Sequence, residues 1–145
     1  MTDSDAKPVV VVGVDGSQSS KDALRWAANY AELTGAEIRA VISYKTELLI
    51  TSSPNAGLAA QARETVEEAI SDVLGAEPSV SVTSDVVGGH PAQVLVEASR
   101  SADLLVVGSR GHGAFVGMFL GSVSNHCVHH AKCPVLVIHH DDDHV

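Results

Sequence analysis

The residues best suited to bind a ligand lie in the glycine-rich stretch between Asp103 and Ala131. The apolar run from Leu104 to Val107 predicts a buried parallel strand, and glycines recur directly after it. Gly121 and Ser122 then open a segment with helical spacing, in which a serine stands where an N-cap belongs. A helix N-terminus offers unpaired N–H groups and a positive dipole end, and glycines let an anion approach the main chain. The stretch therefore predicts a phosphate-binding loop.

This loop is neither of the two commonest phosphate-binding loops. A Walker A loop requires Gly-Lys-Ser/Thr, whereas no lysine occurs between Lys45 and Lys132, and the dinucleotide pattern G-x-G-x-x-G is absent. The observed spacing is Gly108-x2-Gly111-x9-Gly121-Ser122. Between a strand and a helix, this spacing resembles the nucleotide-binding motif of the universal stress protein family, in its ATP-binding branch. Two further segments carry the resemblance over nearly the whole chain: 9–17, similar to the first strand and its aspartate loop, and 134–139, similar to the last strand.

The resemblance implies a nucleotide site shared by Asp15 and the glycine loop. ATP-binding members have an aspartate at the position of Asp15, where a carboxylate orients a ribose hydroxyl or helps to hold Mg²⁺ on the phosphates. The resemblance also implies that the main chain of Gly13 and Ser43 lies near the nucleotide, with Ser43 beside adenine. Ser122, Val123 and Ser124 match the residues that receive the phosphates. The full set of candidate cofactor-binding residues is Gly13, Asp15, Ser43, Val107, Gly108, Ser109, Arg110, Gly111, His112, Gly113, Gly121, Ser122, Val123 and Ser124.

Several of these residues also have a purely structural interpretation. Asp15 can be an Asp-Gly turn residue that bonds its own backbone. Gly113 and Gly117 can be loop glycines that meet no ligand. Arg110, the one cation inside the loop sequence, either bonds a phosphate or points into solvent. The sequence leaves these alternatives open.

Histidines suggest a different kind of site. His126 and His130 are four residues apart on the predicted helix, with His129 alongside, a spacing that can bind zinc. No glutamate or cysteine accompanies them at HExxH spacing, and the helix needs one face for packing, so the sequence favours a structural interpretation. The tail 139–145, with its histidines and aspartates, is typical of a solvated segment.

Composition narrows the class of protein. With 9 Lys+Arg against 18 Asp+Glu, the formal net charge of −9 opposes broad contact with nucleic acid, and no such partner is expected. Cys127 and Cys133 have neither CxxC nor zinc spacing, which favours a reducing compartment. The sequence starts without a signal-peptide pattern and contains no apolar run near the ~20 residues of a membrane span. We therefore expect a soluble cytoplasmic protein that does not contact membranes.

Segments with strand and helix character alternate along the chain. We predict strands at 9–14, 37–43, 80–87, 104–107 and 134–138. We predict helices from Ser19, with a capping box to Asp22, until Gly35; from about Pro54 until Gly75; from Pro91; and from Ser122. The connection 44–55 is irregular and can act as a lid or a partner contact. This alternation predicts an α/β fold, a doubly wound five-stranded parallel sheet with helices on both faces.

Strand order cannot be obtained from periodicity. The resemblance implies the order 3-2-1-4-5 of an adenine nucleotide alpha hydrolase-like, Rossmann-like fold, in a single domain over 1–145 with flexible ends at 1–7 and 140–145. Ligands of such folds bind beyond the carboxyl ends of the strands, where the order reverses. Asp15 and Gly108 would then face one another across one crevice.

The expected function is that of a universal stress protein that binds ATP together with Mg²⁺ and acts as a stress-response regulator or nucleotide-dependent interaction module. The open alternatives are a dimeric scaffold without nucleotide, a binder of AMP or cyclic AMP, and a slow ATPase. Phosphoryl transfer needs a positioned base and several cations, so binding without fast chemistry is favoured and no catalytic residue is predicted. The fifth strand would be an apolar sheet edge, which predicts a homodimer, as the resemblance also implies, through Val135, Leu136, Val137 and Ile138.

Overall fold

The computed structural model describes residues 7–46, 55–110 and 121–139. Several predictions fall outside these residues: the flexible ends, most of the 44–55 connection, and the candidate site residues Gly111, His112 and Gly113.

Helices and strands alternate throughout the described part of the chain. In order they are β1 (Val9–Gly13), α1 (Gln18–Thr34), β2 (Glu37–Tyr44), α2 (Asn55–Leu74), β3 (Val82–Gly88), α3 (Pro91–Ser99), β4 (Leu104–Gly108), α4 (Ser122–His130) and β5 (Val135–Ile138). All neighbouring strands are parallel, and the sheet order is β3-β2-β1-β4-β5. The predicted α/β class and the order implied by the resemblance are both confirmed.

Apolar side chains cover both faces of the sheet, as a parallel sheet between two helix layers requires. On β1, Val10 and Val12 pack into one core with α1 and α2, whereas Val11 packs into a second core with α3 and α4. Leu24 of α1 and Cys127 of α4 are fully buried in these two cores. The unbroken valine run of β1 thus reflects its central position, with a helix layer on each side.

Two helix starts differ from the predictions. Ser19 was the predicted N-cap of α1, and this is wrong: the cap is Ser17, whose Oγ accepts the Ser20 N–H at 3.2 Å. Ser19 is instead buried in the first turn. In α4 the N-cap position belongs to Gly121, and Ser122 is the first helical residue.

The other boundaries lie close to those predicted. Gly35 ends α1 in the left-handed conformation, with φ 78°, and donates its N–H to the Ala31 carbonyl at 2.8 Å. The third strand starts at Val82, two residues later than predicted, and its register pairs Val82 with Ile38 of β2. Within the described segments, no helix combines the length and apolarity needed to cross a bilayer.

Candidate functional site

A cavity of about 690 Å³ opens at the carboxyl edge of the sheet, above the ends of β2, β1 and β4. Its size is typical of small-molecule sites, and it lies where the strand order reverses direction. The described residues that line it are Gly13, Val14, Asp15, Ser17, Ser20, Val41, Ile42, Ser43, Tyr44, Lys45, Leu58, Gln61, Ala62, Thr65, Pro91, Val94, Leu95, Val107, Gly108, Arg110, Gly121, Ser122, Val123 and Ser124.

The structure brings most of the predicted site residues together around this cavity. Lining it are Gly13, Asp15, Ser43, Val107, Gly108, Arg110, Gly121, Ser122, Val123 and Ser124. Ser109 is buried behind them and joins the glycine loop to α4. Its carbonyl accepts the Gly121 N–H at 2.6 Å and the Ser124 hydroxyl at 3.0 Å. Ser109 therefore holds the two halves of the loop in place.

The N-terminus of α4 supplies backbone donors to the cavity. Gly121 is extended, with φ −71° and ψ 169°, and no side chain caps the helix. The first backbone bond of the helix is that from the Asn125 N–H to the Gly121 carbonyl, at 2.9 Å. Three N–H groups lie before this bond in the sequence and therefore have no acceptor within the helix, namely those of Ser122, Val123 and Ser124. They point out of the N-terminal end of α4, along the helix axis. Three backbone donors thus coincide with the positive end of the helix dipole.

Asp15 takes part in a turn at the end of β1. Its Oδ1 accepts the Ser17 N–H at 2.9 Å and the Ser17 hydroxyl, while its own N–H donates to Ser20 Oγ at 3.3 Å. Gly16 makes the turn possible because its φ is 86°. The turn role considered from the sequence is therefore present. It fixes the carboxylate at the wall of the cavity, between the ends of β2 and β4.

Gly108 is required by packing. A Cβ on Gly108 would lie 2.7 Å from the backbone carbonyl carbon of Ser19, closer than real Cβ contacts come. The absence of a side chain thus lets the end of β4 approach the first turn of α1. The Arg110 N–H lies 3.5 Å from Ser19 Oγ, on the same side. Part of the glycine motif therefore serves the fold itself.

Sequence reasoning missed one wall of the cavity, which comes from α2. Leu58, Gln61, Ala62 and Thr65 line it at the spacing i, i+3, i+4 and i+7, so a single helical stripe faces the site. Gln61 and Thr65 were the available signal, since they are polar residues beside the apolar positions of the stripe. Lys45, directly after β2, was also missed, and it adds a cation to the lining.

The profile of the Universal stress protein family matches residues 8–139. The chain belongs to the universal stress protein family. It is 36% identical to a universal stress protein of Mycolicibacterium smegmatis, over 92% of this chain and 48% of that protein. It spans about half the length of the curated relatives it matches.

Solved structures of the family share this fold. A universal stress protein in complex with cAMP is 30% identical, with a TM-score of 0.61 over 92% of this chain and 98% of that one. The universal stress protein from Archaeoglobus fulgidus in complex with dAMP has a TM-score of 0.64 at 22% identity, over 92% and 98% of the two chains. The structural relatives thus include proteins that bind adenine nucleotides.

The thiols of this universal stress protein are poorly suited to nucleophilic chemistry. Burial raises the pKa of Cys127 to about 11, and burial together with the charge of Asp103 raises the pKa of Cys133. A thiol that stays protonated at neutral pH is a weak nucleophile. In the described part of the chain, no three His, Cys, Asp or Glu side chains converge as a metal site would require.

Proposed function

We propose that this universal stress protein binds ATP together with Mg²⁺ in the strand-end cavity, and that nucleotide occupancy regulates its contacts in the stress response. The observation that carries the proposal is the N-terminus of α4, where the backbone donors of Ser122, Val123 and Ser124 face a cavity of about 690 Å³. A phosphate chain is one anion that such a donor set binds well. The cAMP-bound relative supports an adenine nucleotide as the ligand.

The cavity suits an elongated ligand. The ends of β2 and β4 lie on either side of β1, about 10 Å apart at ordinary strand spacing. Near the end of β2, Val41 and Val94 offer an apolar surface for adenine, with the main chain of Ser43 beside it. The donors of α4 follow β4, at the other end of the cavity. A ligand that reaches both ends needs a base at one end and phosphates at the other.

The charges around the cavity fit a bound polyphosphate. Arg110 and Lys45 are cations in a chain whose formal net charge is −9, so an anion here depends on local donors and these two side chains. Asp15 lies between them along the strand order and would hold phosphate-bound Mg²⁺ or a ribose hydroxyl. Rapid hydrolysis is not part of the proposal, because fast phosphoryl transfer needs a base that orients the attacking water, and Asp15, the one carboxylate of the described lining, is bonded within its own turn.

Thermal unfolding with and without nucleotide tests the proposal. ATP with Mg²⁺ at 100 times its dissociation constant should stabilise the protein by about 2.7 kcal/mol. Adenosine serves as the control, because it lacks the phosphates that α4 would hold and should stabilise less. Absence of any shift at millimolar ATP would refute the site and favour a scaffold without nucleotide. A larger shift in the unfolding temperature with AMP or cyclic AMP than with ATP would identify that nucleotide, rather than ATP, as the ligand.

We also propose that β5 forms a homodimer through its outer edge, since β5 ends the sheet order and all four of its residues are half-buried in the single chain. The carbonyls of Pro134 and Ile138 accept from β4, so the backbone of Val137, which alternates with them, faces the outer edge. Val137→Pro should therefore remove an edge donor and give a monomer by light scattering, with the fold retained. Leu136→Pro is the matched control and should destabilise the β4–β5 pairing itself. A monomeric parent would refute the dimer.

A further inference from the structure

Three histidines lie on the last turns of α4, at the end of the helix farthest from the cavity. The rings of His126 and His130 are adjacent, with centroids 4.4 Å apart and planes tilted by 36°. His130 is exposed and His126 is half-buried, whereas Cys127, which follows His126 in the sequence, is fully buried in the core. Packing of α4 therefore uses Cys127 and leaves the histidine pair accessible. The need of the helix for one packing face, which counted against a metal site in the sequence analysis, does not exclude this pair.

His129 differs from the other two histidines. Its Nδ1 lies 2.9 Å from the Asn125 carbonyl oxygen and donates to it, so the ring is tied to its own helix. Its centroid is 6.4 Å from that of His130. Among the hydrogen bonds of the described residues, none involves the ring nitrogens of His126 or His130. The paired rings thus present nitrogens that the described part of the chain does not use.

We propose that His126 and His130 together chelate one divalent transition-metal ion, with copper(II) as the best-fitting ion. A ligating nitrogen lies about 2.0 Å from such a metal, which puts each ring centroid about 3.1 Å from the ion. Two such rings have centroids about 4.4 Å apart at an angle of 90° and about 5.1 Å apart at the tetrahedral angle. The observed 4.4 Å is short enough for both rings to reach one ion after small ring rotations. Copper(II) is preferred because imidazole sites bind it most tightly among the divalent first-row metals.

The position on the helix favours a cation further. The C-terminal turn of α4 carries the negative end of the helix dipole, which attracts positive charge. Among the described residues no third His, Cys, Asp or Glu joins the pair, so the two histidines are the ligands on which the proposal rests. This site is separate from the cavity, so its test does not depend on nucleotide binding.

The test is a copper(II) titration of the full chain, followed by calorimetry and by electron paramagnetic resonance. The parent should bind one copper(II) ion with two nitrogen ligands in the resonance spectrum. His126→Gln and His130→Gln should each lower the affinity about 100-fold, because each removes one arm of the chelate. His130 is exposed, His126 is half-buried and neither is in the core, so circular dichroism should report an unchanged fold.

Two matched variants separate this pair from the other histidines. His129→Gln removes a histidine from the same helix end, and the double variant His140→Gln/His144→Gln removes two from the tail. Both should bind copper(II) as tightly as the parent does. Unchanged affinity in His126→Gln and His130→Gln would overturn the proposal. A loss of equal size in His129→Gln or in the tail variant would overturn it as well.

Discussion

Ser122→Asp separates nucleotide binding from folding at the N-terminus of α4. Ser122 is the first helical residue, exposed, and part of the cavity lining. A carboxylate in the first turn of a helix stabilises the helix by about 0.3–1 kcal/mol through the dipole. The same carboxylate would repel a phosphate held by the neighbouring N–H groups. We therefore expect the free energy of unfolding to stay the same or to rise while ATP affinity falls.

The expected loss follows from the distance and the solvent exposure. Two unit charges about 4 Å apart repel by about 1 kcal/mol in water and by about 4 kcal/mol at the effective dielectric constant of a protein surface. Because Ser122 is exposed, an intermediate value of about 2 kcal/mol applies, which corresponds to roughly 30-fold weaker ATP binding. Adenosine carries no phosphate, so its affinity should change by less than about twofold.

Asn125→Asp is the matched control. Asn125 is also exposed and lies on the same helix, but three residues further along, about 4.5 Å more distant from the proposed phosphate position. At physiological salt, charges about 8 Å apart are largely screened, so ATP binding should weaken by less than about threefold. Isothermal titration with ATP and adenosine measures all three proteins. Equal ATP affinities for the parent and Ser122→Asp would refute the phosphate position, and a matching loss of adenosine affinity would point to steric damage.

Two further predictions concern stability. Gly108→Ala should lower the free energy of unfolding by about 1–3 kcal/mol in urea titrations, because the new Cβ meets the Ser19 backbone; an unchanged midpoint would contradict that contact. Folding raises the pKa of Cys127 from 9.0 to about 11, so the protonated thiol favours the fold below pH 9 and stability on the order of 2 kcal/mol is lost between pH 9 and pH 11. Cys127→Ser should show a smaller decline in alkaline denaturation, because only the contribution of Cys133 is left among the two thiols, and a parent whose stability is flat over that range would refute the assignment.

The fold could be predicted largely because its signals are local. The valines of β1, buried on both faces, give an apolar run, and Gly35 stops α1 with a conformation that glycine adopts easily. The strand order could not be predicted from local signals, because an alternation of strands and helices fits several orders. Only the family resemblance selected one of them. The structure confirms that order.

The wrong N-cap of α1 and the cavity wall that sequence reasoning missed both depend on contacts between segments distant in the sequence. Ser17 and Ser19 are both acceptable N-caps by residue type, but Ser19 is buried against Gly108 and Ser17 caps the helix. In the same way, Gln61 lines the cavity because α2 packs on β2 and β3, and helical spacing does not reveal that packing. Sequence patterns assign a residue to a helix face, but tertiary packing decides what that face meets.

The glycines of the motif differ in what they indicate. Gly108 is needed for the contact with the Ser19 backbone, which cannot give way. A Cβ on Gly13 would lie 2.8 Å from Leu95 Cδ1, the end of a side chain that can move aside, so packing demands glycine less strictly there. Gly121 has φ −71°, a backbone conformation that any residue adopts, so its conformation does not demand glycine. Loss of ATP binding in a Gly108 variant would consequently not distinguish a damaged fold from a damaged site. The charge placed at Ser122 does distinguish them, because it favours the helix and opposes only the phosphate.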